Sequence, residues 1–196
     1  MSPFLVHEVQ IPIYNRSSKL EKELMKITVK FTPASHQDSK IYIYTDGGCR
    51  SKAKKGEKVG DKDRSAYAFF LKWGGHEKLY GEAEFGRTNN YMELNALIQA
   101  LKSINTNKYA IVVYSDSKYI VDSINKKWYL GWKRKGWLKG DGKEPANVEL
   151  WKELDALLTK FPFFEINHVK GHNGNEGNEL VDAHLNKLMD ELEEVE

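Results

Sequence analysis

The sequence of 196 residues contains a single cysteine, Cys49, and no run of 18 apolar residues. One cysteine excludes a disulfide within the chain and a metal cluster held by several thiolates. The missing apolar run excludes a transmembrane helix, and residues 1–40 lack the continuous apolar stretch of a signal peptide. We therefore expect a cytoplasmic protein that has no membrane association and no disulfide-linked partner.

The composition is that of a globular protein, with 40% apolar and 30% charged residues. The length predicts one domain, residues 40–196, preceded by an extension and polar linker of unknown role, residues 1–39. The net charge is only +2, yet seven bases and one acid lie within residues 125–143, whereas five acids and no base lie within residues 190–196. The basic block is either a surface for a polyanion or a solvated face.

Hydrophobic periodicity indicates an α/β fold. Alternating or continuous apolar runs predict five strands: Lys40–Thr45, Ala66–Trp73, Lys78–Phe85, Tyr109–Ser115 and Phe163–Val169. Helical spacing predicts one helix after the third strand, capped by Asn89 or Asn90, two helices between the fourth and fifth strands, and a last helix over Leu180–Leu192. Three meandering strands followed by α/β alternation predict a mixed sheet with helices packed on it.

Four acids stand where predicted strands end or predicted helices begin: Asp46, Glu93, Asp116 and Asp182. Each could be a helix cap or a surface acid. Strand ends and helix starts also converge at one edge of an open α/β sheet, and carboxylates brought together there repel one another unless a cation neutralises them. Mg²⁺ fits such a site best, because it prefers oxygen ligands and keeps several waters.

Five motifs resemble those of type 1 ribonuclease H, in the same order along the chain: TDGGC (45–49), TNNYMEL (88–94), YSDSKYI (114–120), WKRKGW (132–137) and VKGHNGNEGNELVD (169–182). The similarity covers about residues 40–190. It implies a five-stranded mixed sheet, with three antiparallel strands followed by parallel strands and with helices on both faces. It also implies a metal-dependent endonuclease that cuts the RNA strand of an RNA–DNA hybrid.

The resemblance assigns roles to particular residues. It makes Asp46, Glu93, Asp116 and Asp182 the ligands of two Mg²⁺ ions, for which Mn²⁺ substitutes, with Asp46 as the ligand shared by both ions. It makes His172 the histidine of a loop that assists proton transfer or product release. Asp46, Glu93, Asp116, His172 and Asp182 are therefore the predicted catalytic residues.

Substrate contacts are implied in two groups. Beside the carboxylates, the predicted contacts are Gly47, Cys49, Asn89, Asn90, Ser117 and Lys118. In the basic block, where bases and aromatic residues alternate, they are Trp128, Trp132, Lys133, Arg134, Lys135 and Trp137. Helix capping is the alternative role for the two asparagines, and packing between helices is the alternative for Trp132. The basic block implies that the chain binds its substrate unaided, and we expect an active monomer.

Two departures from the family pattern affect these expectations. A lysine-rich loop, residues 50–64, replaces the short Asn-Pro-Gly turn that follows the first motif in relatives, so an RNA contact by that asparagine is lost. Lys118 stands where many relatives carry glutamine. Two other functions remain open: a DNA nuclease or resolvase of the same fold, and a nucleic-acid-binding module without catalysis.

Overall fold

The computed structural model describes residues 40–52, 58–170 and 175–193. Its strands are β1 (Lys40–Arg50), β2 (Arg64–Trp73), β3 (His76–Phe85), β4 (Ala110–Ser115) and β5 (Phe164–His168). Its helices are α1 (Asn89–Lys102), α2 (Lys118–Asn125), α3 (Trp128–Arg134), α4 (Val148–Leu158) and α5 (Glu176–Glu191). No helix among the described residues is both long enough and apolar enough to cross a membrane.

The strands form one sheet in the order β3-β2-β1-β4-β5. The pairs β1–β2 and β2–β3 are antiparallel, whereas β1–β4 and β4–β5 are parallel. Gly74 and Gly75, both with positive φ, form the two-residue turn between β2 and β3, because such hairpin turns require that backbone conformation. The predicted five-stranded mixed sheet is therefore confirmed.

Helices cover both faces of the sheet, as expected. One hydrophobic core joins the sheet to α1, α2 and α4, with Trp151 fully buried in it. A smaller core lies on the other face, where Val181, Leu185 and Met189 of α5 pack against β2. β2 serves both cores, because alternate side chains of a strand point to opposite faces. Tyr67 and Phe69 belong to the larger core, and Ala66, Ala68 and Phe70 to the smaller one.

Several predicted boundaries were wrong. The strand predicted to end at Thr45 continues to Arg50, because β2 pairs with it along that whole stretch. The last helix begins at Glu176, four residues before the predicted start, and Asn175 caps it by accepting a hydrogen bond from the Asn178 N–H. α3 was not predicted: it is only seven residues long and none of its residues is buried, although Tyr129 and Trp132 pack against the larger core. The predicted extension and linker, residues 1–39, lie outside the described residues.

Candidate active site

Asp46 and Asp116 lie where two neighbouring parallel strands part. The parallel pairing of β1 with β4 ends at Thr45 and Ser115, and the two aspartates are the next residues. Beyond that point β1 pairs with β2 alone, with Asp46 opposite Ala68. The carboxyl edge of parallel strands is where open α/β sheets form their sites. Both aspartates are therefore at the predicted edge, although Asp46 lies within a strand and not after one.

Glu93 and Asp182 reach the same edge from helices on opposite faces. Both were placed too early in their helices: Glu93 is the fifth residue of α1, and Asp182 is the seventh residue of α5. Their positions in the second turn mean that neither carboxylate stabilises the exposed N–H groups of a helix start. The capping alternative is thus wrong for both, and another reason is needed for acids at these positions.

The other three carboxylates act electrostatically on Asp46. Asp46 is only 9% exposed, and burial is the main cause that raises its pKa to about 7. The charge of Asp116 also raises this pKa, as do the charges of Asp182 and Glu93, whereas a hydrogen bond from the Gly47 N–H lowers it. Burial likewise raises the pKa of Glu93, against a lowering by its hydrogen bond with Ser117. The site holds more negative charge than it can neutralise by itself.

A divalent cation fits this set of donors. Carboxylate oxygens are the ligands that Mg²⁺ prefers, and a nearby cation would keep Asp46 ionised at neutral pH. Among residues 40–52, 58–170 and 175–193, no group of three or more His, Cys, Asp or Glu side chains is arranged so that it could hold a metal ion as it stands. The carboxylates are therefore close enough to influence the pKa of Asp46 without forming a closed ligand set.

Three supporting residues escaped prediction in this role. The Ser117 hydroxyl donates to Glu93 Oε2, so this buried serine orients a carboxylate. Asn186 Nδ2 donates to Asp182 Oδ1 (3.1 Å), one helical turn away. His168 Nε2 donates to the backbone oxygen of Asp116 (3.2 Å). Only the Asp182–Asn186 spacing of four residues was visible in the sequence, because helical residues at i and i+4 are neighbours.

Arg50 connects the lysine-rich loop to α5. Its guanidinium donates to Asn186 Oδ1 (3.2 Å) and pairs with Asp190. Arg64, opposite Arg50 in the β1–β2 ladder, donates to the backbone oxygen of Met189 (3.2 Å). Both ends of the loop are thus attached to the last turns of the helix that carries Asp182.

Gly47 allows the closest approach between the sheet and α1. A Cβ at this position would lie 2.1 Å from Glu93 N and 2.3 Å from Met92 C, which are backbone atoms that cannot rotate away. The residue is buried. Its contact with a substrate remains a prediction, whereas its part in holding α1 against β1 is evident.

Gly47→Ala is therefore expected to destabilise the fold by about 3 kcal/mol or more, at or beyond the upper end of overpacking costs. Urea unfolding followed by circular dichroism measures the change. Gly48→Ala is the matched control, because its Cβ would meet only the ends of two flexible side chains, the nearer at 3.1 Å. Equal losses in the two variants would contradict the proposed role of the Gly47 contact.

The remaining predicted contacts near the carboxylates differ in exposure. Asn89 and Asn90 are exposed, and Thr88 caps α1 by accepting a hydrogen bond from the Tyr91 N–H, so the capping role predicted for the asparagines was wrong. Lys118 is exposed at the start of α2, and Cys49 is partly buried in β1. The two asparagines and Lys118 are thus accessible to a ligand.

The basic block divides into packed and exposed residues. Trp132 packs edge-on against Trp151, with ring centroids 5.4 Å apart, and Trp137 also packs against the larger core. Trp128 is exposed, and the Lys126 amine lies over its ring. Lys133 pairs with Asp155 (2.7 Å), so its charge is partly compensated. Arg134 and Lys135 are exposed at the end of α3.

Two predicted features cannot be placed. His172 lies outside the described residues, as do residues 53–57 of the lysine-rich loop. Asp63 joins the two described arms of that loop, because its carboxylate accepts hydrogen bonds from the Ser51 hydroxyl and from the Gly60 N–H.

Comparison with known proteins supplies the family. The sequence profile of RNase H matches residues 38–189. The chain is 38% identical over 154 residues to "Ribonuclease H" from Ruthia magnifica subsp. Calyptogena magnifica, a match that covers 79% of this chain and 98% of the relative.

Solved structures share the fold. LC9-RNase H1, described as a type 1 RNase H with the type 2 active-site motif, superposes with a TM-score of 0.65 at 22% identity and covers 77% of this chain and 72% of that one. A foamy viral protease-reverse transcriptase in complex with RNA/DNA hybrid superposes with a TM-score of 0.62 at 17% identity, over 88% of this chain and 24% of the viral one. At these identities the likeness concerns the fold. Together with the matches over most of the sequence, it shows that the chain belongs to the ribonuclease H family and is a hydrolytic ribonuclease.

Proposed function

We propose that the protein is an endonuclease that hydrolyses the RNA strand of RNA–DNA hybrids with the help of two divalent cations. The observation that carries the proposal is the position of Asp46 and Asp116 directly after the last paired residues of β1 and β4, where the charges of Asp116, Asp182 and Glu93 all raise the pKa of Asp46. Four acids from two strands and two helices therefore share one edge of the sheet, and such a concentration of charge is of use only where a cation and a phosphate meet.

The structure distinguishes three of the four carboxylates in this proposal. Asp46 is the most suitable ligand to be shared by both cations, because it is deeply buried and the other three charges all act on it. Ser117 and Asn186 hold Glu93 and Asp182 by hydrogen bonds, which limits the orientations of these two carboxylates. When bound, the pair of cations supplies activation of water and neutralisation of charge at the phosphate and at the leaving oxygen.

The bond changes follow from hydrolysis. The oxygen of water forms a bond to phosphorus, the bond from phosphorus to the 3′-oxygen breaks, and the 3′-oxygen takes up a proton. The products are a 5′-phosphate end and a 3′-hydroxyl end. Such a reaction suits the removal of RNA primers and other hybrids during replication.

Digestion of labelled nucleic acids tests the function. An RNA–DNA hybrid with labelled RNA is expected to be cut in Mg²⁺ or Mn²⁺ and to stay intact in EDTA, whereas duplex DNA and duplex RNA stay intact throughout. Cleavage of duplex DNA would favour a resolvase-like nuclease of the same fold. Binding of the hybrid without cleavage in any divalent cation would favour a non-catalytic module.

The basic block is expected to supply affinity and not chemistry. Arg134→Gln with Lys135→Gln should raise KM and leave kcat unchanged, because uniform binding does not accelerate the chemical step. Each lost phosphate contact removes about 0.9 from the slope of log K against log salt for B-DNA, so the double variant should lose up to about 1.8. The slope is obtained from the affinity for the hybrid, measured in EDTA at salt concentrations between about 50 and 200 mM, a range in which such slopes are resolved.

Lys133→Gln is the matched control for the basic block, because Asp155 already compensates part of its charge. It is expected to change the slope less than either neighbour does. An unchanged slope in the Arg134 and Lys135 double variant would mean that this end of α3 does not contact the phosphate backbone.

His172 is proposed to assist proton transfer or product release. His172→Ala should lower turnover by roughly 100-fold or less, the size of a general acid–base contribution, while KM stays near its original value. Steady-state and single-turnover rates on the hybrid separate the two roles, since slow product release lowers only the former. A loss as complete as that of a metal-ligand variant would show that His172 has a different role.

A further inference from the structure

An aromatic ring in β1 lies next to the carboxylates and contacts three of the elements that surround it. The Tyr44 ring stacks on Tyr114 of β4, with centroids 5.1 Å apart and an interplanar angle of 18°. It also stacks on Phe70 of β2 at 6.1 Å and 28°. The third neighbour is the backbone of α5 at Gly177.

The contact with α5 requires a residue without a side chain. A Cβ on Gly177 would lie 2.6 Å from Cγ, Cδ2 and Cε2 of Tyr44, whereas real Cβ contacts essentially never fall below 3.0 Å. Gly177 has no positive φ, so the contact and not the backbone conformation demands glycine. A glycine inside a helix costs about 1 kcal/mol relative to alanine. The close approach of the ring gives this unfavourable residue a reason.

Three of the residues in contact each precede one of the carboxylates by only a few positions in the sequence. Tyr44 precedes Asp46 by two residues, Tyr114 precedes Asp116 by two, and Gly177 precedes Asp182 by five. Residues two apart in a strand share a face, so Tyr44 and Asp46 lie on the face of β1 that α5 covers. The stacked rings therefore fill the space between the two strands and the helix immediately before their carboxylates.

We propose that Tyr44 is a positioning residue: through its contact with Gly177 its ring sets the distance of Asp182 from Asp46 and Asp116, and thereby the affinity of the site for divalent cations. From the proposed function, this inference takes over only the assignment of the four carboxylates as ligands of the divalent cations. An ordinary contact begins at about 3.4 Å, so a methyl group on Gly177 would force the ring and the helix apart by about 0.8 Å. Mg²⁺ tolerates little displacement, because it demands near-ideal octahedral geometry.

Calorimetric titration with Mg²⁺ in the absence of nucleic acid tests the proposal. Gly177→Ala is expected to weaken Mg²⁺ binding by about tenfold or more, as changes behind metal ligands commonly do. In that background, Tyr44→Ala should restore part of the affinity, because it removes all three clashing ring atoms. Tyr44→Phe should restore none, because phenylalanine keeps them. Tyr44→Phe alone should bind Mg²⁺ normally.

The experiment must distinguish weaker Mg²⁺ binding caused by a displaced α5 from weaker binding caused by a general loss of stability. Met189→Ala is the control, since Met189 is buried in the same small core two turns beyond Asp182 and its loss lowers stability without moving Gly177. It should leave Mg²⁺ affinity unchanged at a temperature where all variants are folded. If Gly177→Ala fails to fold, Tyr44→Ala alone replaces it, with a smaller loss of affinity expected because the ring is removed without a clash.

Three results would overturn the positioning role. The first is an unchanged Mg²⁺ affinity in folded Gly177→Ala, or in Tyr44→Ala where that variant replaces it. The second is an equal weakening of Mg²⁺ binding in Met189→Ala, and the third is restored affinity when Tyr44→Phe is added to Gly177→Ala. Failure of the proposed function is a separate outcome. It would appear as absence of hybrid cleavage by the unaltered protein, whereas Mg²⁺ binding is read without any nucleic acid.

Discussion

Replacement of Asp46 by asparagine is expected to abolish hybrid cleavage while the fold stays intact. Asparagine has the same shape and can still accept the hydrogen bond from the Gly47 N–H, but it removes the charge on which the other three carboxylates act. Metal ions contribute several kcal/mol to stabilising charge in the transition state. Since about 1.4 kcal/mol corresponds to a tenfold change in rate, we expect a loss of about 1000-fold or more. Initial rates on a labelled hybrid in Mg²⁺ measure it.

Asp61→Asn is the matched control for this substitution. Asp61→Asn removes one negative charge, as Asp46→Asn does, but the Asp61 side chain is 93% exposed in the lysine-rich loop. It is expected to retain the full rate. Near-normal cleavage by Asp46→Asn would remove Asp46 from the catalytic set, and circular dichroism of the variant shows whether a lost rate reflects lost structure.

Asp46→Asn is also expected to stabilise the cation-free protein at alkaline pH. The pKa of Asp46 is about 7 in the fold, against 3.8 for an ordinary aspartate. Since the folded protein holds this proton more tightly, the contribution to stability is fully present below about pH 4 and is lost as the pH rises to about 7. With about 1.4 kcal/mol for each pKa unit, the loss is up to about 4 kcal/mol.

Urea unfolding in EDTA at several pH values between 4 and 8 measures this effect. The difference in free energy of unfolding between Asp46→Asn and the unaltered protein should grow across that range. Mg²⁺ at pH 8 should stabilise the unaltered protein, since a ligand of the folded state adds to its stability, and should stabilise the variant far less. A difference that does not vary with pH would mean that the pKa of Asp46 is not raised in the folded protein.

Much of the sheet could be predicted, because its signals are local. The nearly continuous apolar run of Ala66–Trp73 and the pair Gly74-Gly75 indicate a strand and a hairpin without reference to the rest of the chain. The starts of helices were harder. At α1, Thr88 and Asn89 are both good capping residues, and only the backbone conformation decides between them. At α5, the first strongly apolar residues, Leu180 and Val181, come only after the first turn, so the apolar spacing places the start of the helix too late.

The edge of the sheet at which the acids lie could be predicted, whereas the residues that support them could not. Asp46 and Asp116 each follow the last residue of the parallel β1–β4 pairing, a point that the apolar runs before them indicate. The Ser117–Glu93 hydrogen bond spans 24 residues of sequence, and the Tyr44–Gly177 contact spans a far longer stretch. Such contacts depend on how the helices pack on the sheet, and this packing cannot be predicted from hydrophobic periodicity. Trp132 illustrates the same limit, since only the packed structure shows its ring against Trp151.

The two cores of the fold are unequal, and this inequality has a consequence for native-state dynamics. Asp46, Glu93 and Asp116 stand on β1, α1 and the end of β4, which the larger core joins, whereas Asp182 stands on α5, which the smaller core holds. Proteins open in separate cooperative units whose free energies range from near zero to that of global unfolding. Undocking of α5 would expose the smaller core and leave the larger core, which joins the sheet to α1, α2 and α4, intact. The carboxylate set lacks Asp182 only in those molecules in which α5 is undocked, a fraction that stays too small to lower Mg²⁺ affinity as long as a variant is folded, yet can change while the midpoint of global unfolding stays the same.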